Sequence, residues 1–195
     1  RLRTFVTGNS RGIGLAVTKK LSSEGFEIVG GCRNDGFDIE KNFSYVVDSI
    51  GDCDVFINNA YVPTYQTMLL REIYSQWKYE DKMIINLGSC ASDMGLDNPD
   101  RVKEYPSEKI RQEEFIKNLN AEYCKNGFKS GYKCRVTNLK MGYVLTEFPS
   151  LYDKTLFPTL TPEYVADMIH WLITQPKGAC IRELSIHSTE EPLQC

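Results

Sequence analysis

Six short apolar runs of strand composition alternate along this chain with segments of helical period, and few architectures can absorb that order. The runs are Arg3–Thr7, Glu27–Cys32, Cys53–Asn58, Lys82–Leu87, Lys133–Lys140 and Cys180–His187. Between them the spacing predicts helices over about Arg11–Ser23, Glu40–Ile50, Thr64–Lys78, Pro106–Lys125 and Pro162–Thr174. In the first helix Ile13, Val17 and Leu21 form one stripe and Gly25 stops it. In the last, Thr161 stands at the N-cap, Pro162 at the first position and Glu163 in the first turn. Strands separated by helices cannot pair through tight turns; the helices cross over and cover both faces of a parallel sheet. The expected fold is therefore α/β, a doubly wound parallel sheet carried as one domain over residues 1–195.

Composition narrows what such a fold can serve. Of 195 residues, 42% are hydrophobic and 25% charged, the balance of a packed globular domain. With 26 acidic and 23 basic side chains the formal charge is −3, which disfavours nucleic acid and anionic membrane surfaces as partners. No apolar stretch approaches the roughly 20 residues of a membrane span. The seven cysteines, Cys32, Cys53, Cys90, Cys124, Cys134, Cys180 and Cys195, are odd in number and form no C-x-x-C pair. They read as buried thiols of a reducing compartment, Cys90 among them as a small neighbour of its strand. With no charged-then-apolar leader before the first strand, the expected location is the cytoplasm. His170 and His187 lack partners at metal-ligand spacing, so both are expected to be structural and no metal is expected.

The first chemical signal is Thr7-Gly8-Asn9-Ser10-Arg11-Gly12-Ile13-Gly14, set between the first strand and the first helix. Glycines 8, 12 and 14 allow a sharp turn and close approach of a pyrophosphate, and the helix start offers unpaired N–H groups and a positive dipole end. A glycine turn alone is weak, but its place after the first strand favours a nucleotide site formed by Gly8, Ser10, Arg11, Gly12, Ile13 and Gly14.

This Gly-x-x-x-Gly-x-Gly spacing resembles the short-chain dehydrogenase/reductase (SDR) family, and further landmarks follow in the family's order. Asn58-Asn59-Ala60 follows the third run, with Tyr61 where the family has glycine. A serine ends the fourth run in Asn86-Leu87-Gly88-Ser89, and Tyr-x-x-x-Lys is present as Tyr105-Pro106-Ser107-Glu108-Lys109. The resemblance implies a Rossmann-type sheet of six to seven strands in order 3-2-1-4-5-6-7. It implies a carbonyl/alcohol oxidoreductase acting by hydride transfer on a small molecule, with Ser89, Tyr105 and Lys109 as the catalytic group. A tyrosine hydroxyl can give or take the proton that hydride transfer requires, but its ordinary pKa of about 10 is high for a base. The Lys109 ammonium one turn away is expected to lower it, and Ser89 to orient the substrate oxygen. Because Pro106 disfavours helical geometry in the residue before it, Tyr105 is expected at the helix cap. No asparagine between Tyr61 and Met83 matches the one the family uses for a water relay. A water or another side chain must replace it, or turnover is poor.

The resemblance also implies the cofactor. The second run ends Gly31-Cys32-Arg33-Asn34, without the acid that would hold the NAD 2′-hydroxyl. Arg33 and Arg11 stand where NADP-using members carry basic residues, so NADP(H) is favoured over NAD(H). Asp38 resembles the aspartate beside the adenine, and Asn58, Asn59 and Ala60 border the adenosine ribose. Lys109 reaches the nicotinamide ribose, and Val144 and Thr146 meet the nicotinamide carboxamide. They lie in Met141-Gly142-Tyr143-Val144-Leu145-Thr146, with Met141 replacing the family's proline. The segment Glu147–Leu160, with Phe148, Tyr152 and Phe157, is expected to form a substrate lid or to anchor a loop.

The chain is short for the family. Only five positions separate Arg33 from Asp38, fewer than the dozen or so of a helical crossover, so edge strand 3 is expected to be vestigial or absent. Family members are commonly dimers or tetramers, and a homodimer is the expected state. An alternative from another class is a nucleotide sensor or scaffold that keeps the fold with little or no catalysis.

Overall fold

The computed structural model describes residues 1–147 and 159–190. Six strands form one parallel sheet: β1 (Arg3–Thr7), β2 (Glu27–Gly31), β3 (Val55–Asn58), β4 (Met83–Leu87), β5 (Arg135–Met141) and β6 (Glu183–Ile186). Their order is β2-β1-β3-β4-β5-β6, every pairing parallel. The order reverses beside β1, which opens a crevice above the carboxyl ends of β1 and β3. The expected seven-strand order is met with its edge strand absent among the described residues. A 3-10 turn at Arg33–Asp35 takes the place of a crossover.

The helices are α1 (Gly12–Ser23), α2 (Phe43–Gly51), α3 (Tyr65–Trp77), α4 (Glu104–Asn126) and α5 (Pro162–Ile173). Neighbouring strand residues face opposite sides of the pleat, and the core divides accordingly. Val6, Ile57, Ile85 and Leu139 meet α1 and α5 through Val17, Leu21, Val165 and Ile169. Phe5, Phe56, Ile84 and Val136 meet α2, α3 and α4 through Val46, Ile50, Leu69, Ile73 and Ile116. Every residue of β4 is buried, as a central strand covered on both faces requires.

The second face also carries a polar seam. Asn58, Asn86 and Asn138 lie in register on β3, β4 and β5. Asn58 Nδ2 donates to Asn86 Oδ1 at 2.9 Å, and Asn86 Nδ2 to Asn138 Oδ1 at 3.1 Å. At this depth each amide needs a partner, so the row fixes the strand ends laterally.

Two expectations are corrected. Helix α4 starts at Glu104, not Pro106, so Tyr105 lies inside its first turn rather than at a cap. Proline is tolerated there because the first turn has no carbonyl four residues back to bond. The thiols are less buried than expected: Cys53 is buried, Cys32, Cys90 and Cys134 are intermediate, and Cys124 and Cys180 are exposed.

Candidate functional site

The glycine turn leads from β1 into α1. Gly8 adopts φ +67°, and a Cβ on Gly14 would stand 2.1 Å from the Gly8 carbonyl oxygen, so neither position admits a side chain without strain. Thr7 and Asn59 clamp the turn from below. Asn59 Nδ2 donates to Thr7 O at 2.8 Å, and Thr7 Oγ1 accepts from the N–H groups of Asn59 and Ala60 at 3.0 and 3.1 Å. No side chain caps the start of α1 and no acid lies in its first turn, so the helix end keeps its affinity for an anion.

A cleft of about 1320 Å³ runs from this turn along the carboxyl ends of the strands. That is above the usual range for a single small-ligand pocket and fits a dinucleotide with a second molecule. Gly8, Ser10, Arg11, Gly12 and Ile13 line it at one end, with Arg33, Phe37 and Ile39; Gly14 is packed beneath the turn. Arg11 meets Glu147 at 3.6 Å, with both side chains more than 80% exposed, a pair worth little in water and easily exchanged for a better anion. Phe37 packs against Gly31, where any side chain would overlap its ring. Asp38 is spent on its own turn, its carboxylate accepting from the N–H groups of Glu40 and Lys41 at 3.1 and 3.2 Å. Its neighbours Phe37 and Ile39 line the cleft instead. Asn59 and Ala60 line it as well, whereas Asn58 is fully buried in the amide row.

At the other end Ser89, Tyr105 and Lys109 come together. The Ser89 side chain lies close enough to the Tyr105 phenol to act on its pKa, and its Oγ accepts from the Ala91 N–H at 3.1 Å. Lys109 is 4% exposed, with its Nζ 5.5 Å from the centre of the Tyr105 ring and 5.9 Å from that of Tyr61. Tyr61 stands edge-on to Tyr105 at 5.0 Å between centroids. Val144 and Thr146 also line the cleft, Thr146 beside Gly12 of the glycine turn. The aromatic residues 148, 152 and 157 of the expected lid lie outside the described residues.

The electrostatics differ from the expectation. Burial pushes the Tyr105 hydroxyl above its ordinary pKa; the Ser89 side chain opposes this and a charge at Cys90 adds to it. Burial also pulls Lys109 down to about 7, against the raising effect of Glu108. Burial thus pushes both groups toward their neutral forms, which favours the phenol of Tyr105 over the phenolate.

Sequence reading missed the side chains that hold this group. Gln66 accepts from Lys109 Nζ at 3.1 Å and from Gln112 Nε2 at 3.0 Å, and donates to Asn58 O at 3.0 Å. Lys109 also donates to Leu87 O at 2.8 Å. An amide from α3 thus meets the lysine where no asparagine could be found. The signal was present: Gln66 shares a stripe with Leu69, Leu70, Ile73 and Trp77, all buried. Glu108, fully buried, accepts from the Thr67 N–H at 3.2 Å and pairs with Arg111 at 2.7 Å, tying α3 to α4. Burial raises its carboxyl pKa, but the bonds from Thr67 and Arg111 hold it below the usual range.

A second buried cluster backs the Ser89 turn. Lys140, 4% exposed on β5, pairs with Glu113 of α4 at 3.2 Å and with Asp93. Ser92 Oγ lies 2.8 Å from the Ser89 carbonyl oxygen and also contacts Glu113. The turn carrying Ser89 is thereby bound to a strand and a helix that do not touch the cleft through those residues.

No family model and no curated protein matches the sequence. Solved structures do match. The closed form of a serine dehydrogenase complexed with NADP+ superposes with TM-score 0.72 at 18% identity, covering 95% of this chain and 94% of that one. An alcohol dehydrogenase from the archaeon Thermococcus sibiricus complexed with 5-hydroxy-NADP gives 0.72 at 18%, covering 98% of each. A 3-alpha-hydroxysteroid dehydrogenase from a Pseudomonas species complexed with NADH gives 0.68 at 15%, covering 95% of each. Among the described residues no helix is long and apolar enough to cross a membrane. The fold of this chain is that of the short-chain dehydrogenases/reductases.

Proposed function

We propose that the protein is an NADP(H)-dependent oxidoreductase that interconverts a carbonyl and an alcohol. The observation that carries this reading is the meeting of Ser89, Tyr105 and Lys109 at one end of a cleft whose other end is an uncapped glycine turn. A nicotinamide dinucleotide in the cleft would supply or accept the hydride. Gly8, Ser10, Arg11, Gly12 and Ile13 would hold its pyrophosphate and Arg33 with Arg11 a 2′-phosphate, with Val144 and Thr146 at the nicotinamide end. The structural neighbours carry either NADP-type or NADH cofactors, so they support the cofactor class, and the two arginines support the choice.

In this reading Ser89 orients the substrate oxygen and Tyr105 delivers the proton as negative charge develops there. A buried phenol that stays protonated at neutral pH suits the reductive direction. Lys109, fixed by Gln66 and Leu87 O, refills the proton on Tyr105 and contributes charge below about pH 7.

Two observations favour a sensor or scaffold role: Lys109 Nζ donates to the internal acceptors Gln66 Oε1 and Leu87 O, and Tyr61 packs edge-on against Tyr105. Titration with NADPH and NADH, followed by NADPH consumption over a panel of ketones and aldehydes, separates the two. An enzyme binds NADPH tighter and consumes it only with substrate; a sensor binds without consumption.

A further inference from the structure

Cys90 and His187, which the sequence offered as unrelated residues, meet at the catalytic end of the cleft. Cys90 follows Ser89 after β4, and His187 directly follows β6, so the two side chains meet across the end of β5. Cys90 Sγ lies 3.3 Å from His187 Nε2 and 3.5 Å from Nδ1. Such similar distances set the sulfur against the ring as a whole, so the imidazole must turn to aim one nitrogen at the thiol. Ser185 Oγ, 3.0 Å from Nε2, steadies the imidazole. Both residues line the cleft beside Ser89 and Tyr105, and Cys90 lies close enough to Tyr105 for its charge to act on the phenol.

The other thiols have different surroundings. Burial pushes Cys53 up to about 11 and Cys134 up to about 12, and raises Cys180 as well. Cys124 is exposed beside Arg182 Nη1 at 3.1 Å, outside the cleft. Cys90 alone among the described cysteines combines an imidazole neighbour with a place in the cleft next to two hydroxyls that can hold a carbonyl oxygen.

We propose that Cys90 and His187 form a nucleophilic pair that captures α,β-unsaturated carbonyl compounds in the cleft. His187 accepts the thiol proton and Cys90 Sγ bonds to the β-carbon. The alkene π pair shifts to the α-carbon and carbonyl as an enolate, and the α-carbon takes the proton back from the imidazolium. The product is a thioether, and no oxidant, reductant or cofactor is consumed. Ser89 and Tyr105 stabilise the enolate oxygen, the one contact that rests on the reading of those residues given above. The other titratable groups on this part of the lining are Asp93, engaged by Lys140, with Asp100, Lys103 and Glu104. The adduct occupies the cleft and closes it to substrate.

The test is cofactor-free labelling of the whole chain at pH 7 with trans-2-hexenal, and separately with iodoacetamide, read by peptide mass. Cys90 is expected to react at least tenfold faster than Cys124 with both reagents, and His187→Gln to slow it at least tenfold while the circular dichroism spectrum is unchanged. The proposal is overturned if Cys124 reacts as fast as Cys90, or if His187→Gln leaves the rate intact. Reaction with iodoacetamide but not hexenal overturns the ligand class. Because mass is read without cofactor, a failure to bind NADPH refutes the oxidoreductase reading and leaves this result standing.

Discussion

The two ends of the cleft are built from different materials. The proposed nucleotide end is mostly backbone: a glycine turn, an uncapped helix start and two exposed arginines, with Asn59 at the end of β3 bonded to Thr7 beneath the turn. The proposed catalytic end is held by buried polar side chains from three elements, Gln66 of α3, Glu108, Gln112 and Glu113 of α4 and Lys140 of β5, placed behind the three residues that face the cleft. A contiguous backbone turn is the centre of the first end, and side-chain contacts between distant segments are the centre of the second. The first should therefore fail by steric clash, and the second by loss of buried partners.

The sharpest break is at the nucleotide end. Gly14→Val places a side chain against the Gly8 carbonyl, which cannot move without remaking the turn. It should cost more than about 3 kcal/mol in chemical denaturation and abolish NADPH binding.

At the catalytic end the buried lysine makes stability depend on pH. The folded pKa of Lys109 is about 7 against an ordinary 10.5, so between those values the folded state binds fewer protons than the unfolded one. Stability therefore rises with pH across that window. From pH 7 to 9, with the opposing contribution of the buried thiols common to both proteins, the native protein should gain about 2 kcal/mol relative to Lys109→Met. A parallel pH dependence in both proteins would show that Lys109 is not desolvated.

Gln66→Leu removes an acceptor from Lys109 and Gln112 while keeping the helix. It should lower stability by about 1–2 kcal/mol and reduce kcat more than it raises KM, whereas Gln66→Glu should restore the lysine contact. Equal loss in Gln66→Leu and Gln66→Glu would make the residue merely a packing group.

The smallest effect lies with the arginines. Arg33→Ala and Arg11→Ala should each weaken NADPH binding by about tenfold, near 1.4 kcal/mol, with NADH affinity unchanged. Equal losses for both cofactors would remove the 2′-phosphate from their role.

What the sequence made legible follows the same division. Strand order, the edge strand absent among the described residues and the meeting of Ser89, Tyr105 and Lys109 could be read because each is announced by a contiguous motif or by an interval too short for a crossover. Helix α4 was misjudged at its start because proline's bias acts on one residue while the first turn tolerates it. Gln66 was overlooked because a glutamine at a helix start reads as solvated until the stripe of Leu69, Leu70 and Ile73 shows which way it faces. The lowered tyrosine pKa was expected from spacing alone, and burial of both Tyr105 and Lys109 reversed it. Side-chain desolvation and pairing between distant strands, such as Cys90 with His187, leave no local trace.

The central claim is that Tyr105 transfers the proton in a cleft that binds NADPH independently of it. The direct measurement compares NADPH affinity and carbonyl-dependent NADPH consumption in the native protein and in Tyr105→Phe. The account predicts consumption reduced at least a hundredfold with NADPH affinity held within about twofold. Consumption persisting within a few-fold of the native rate, or a native protein that does not bind NADPH, would contradict it.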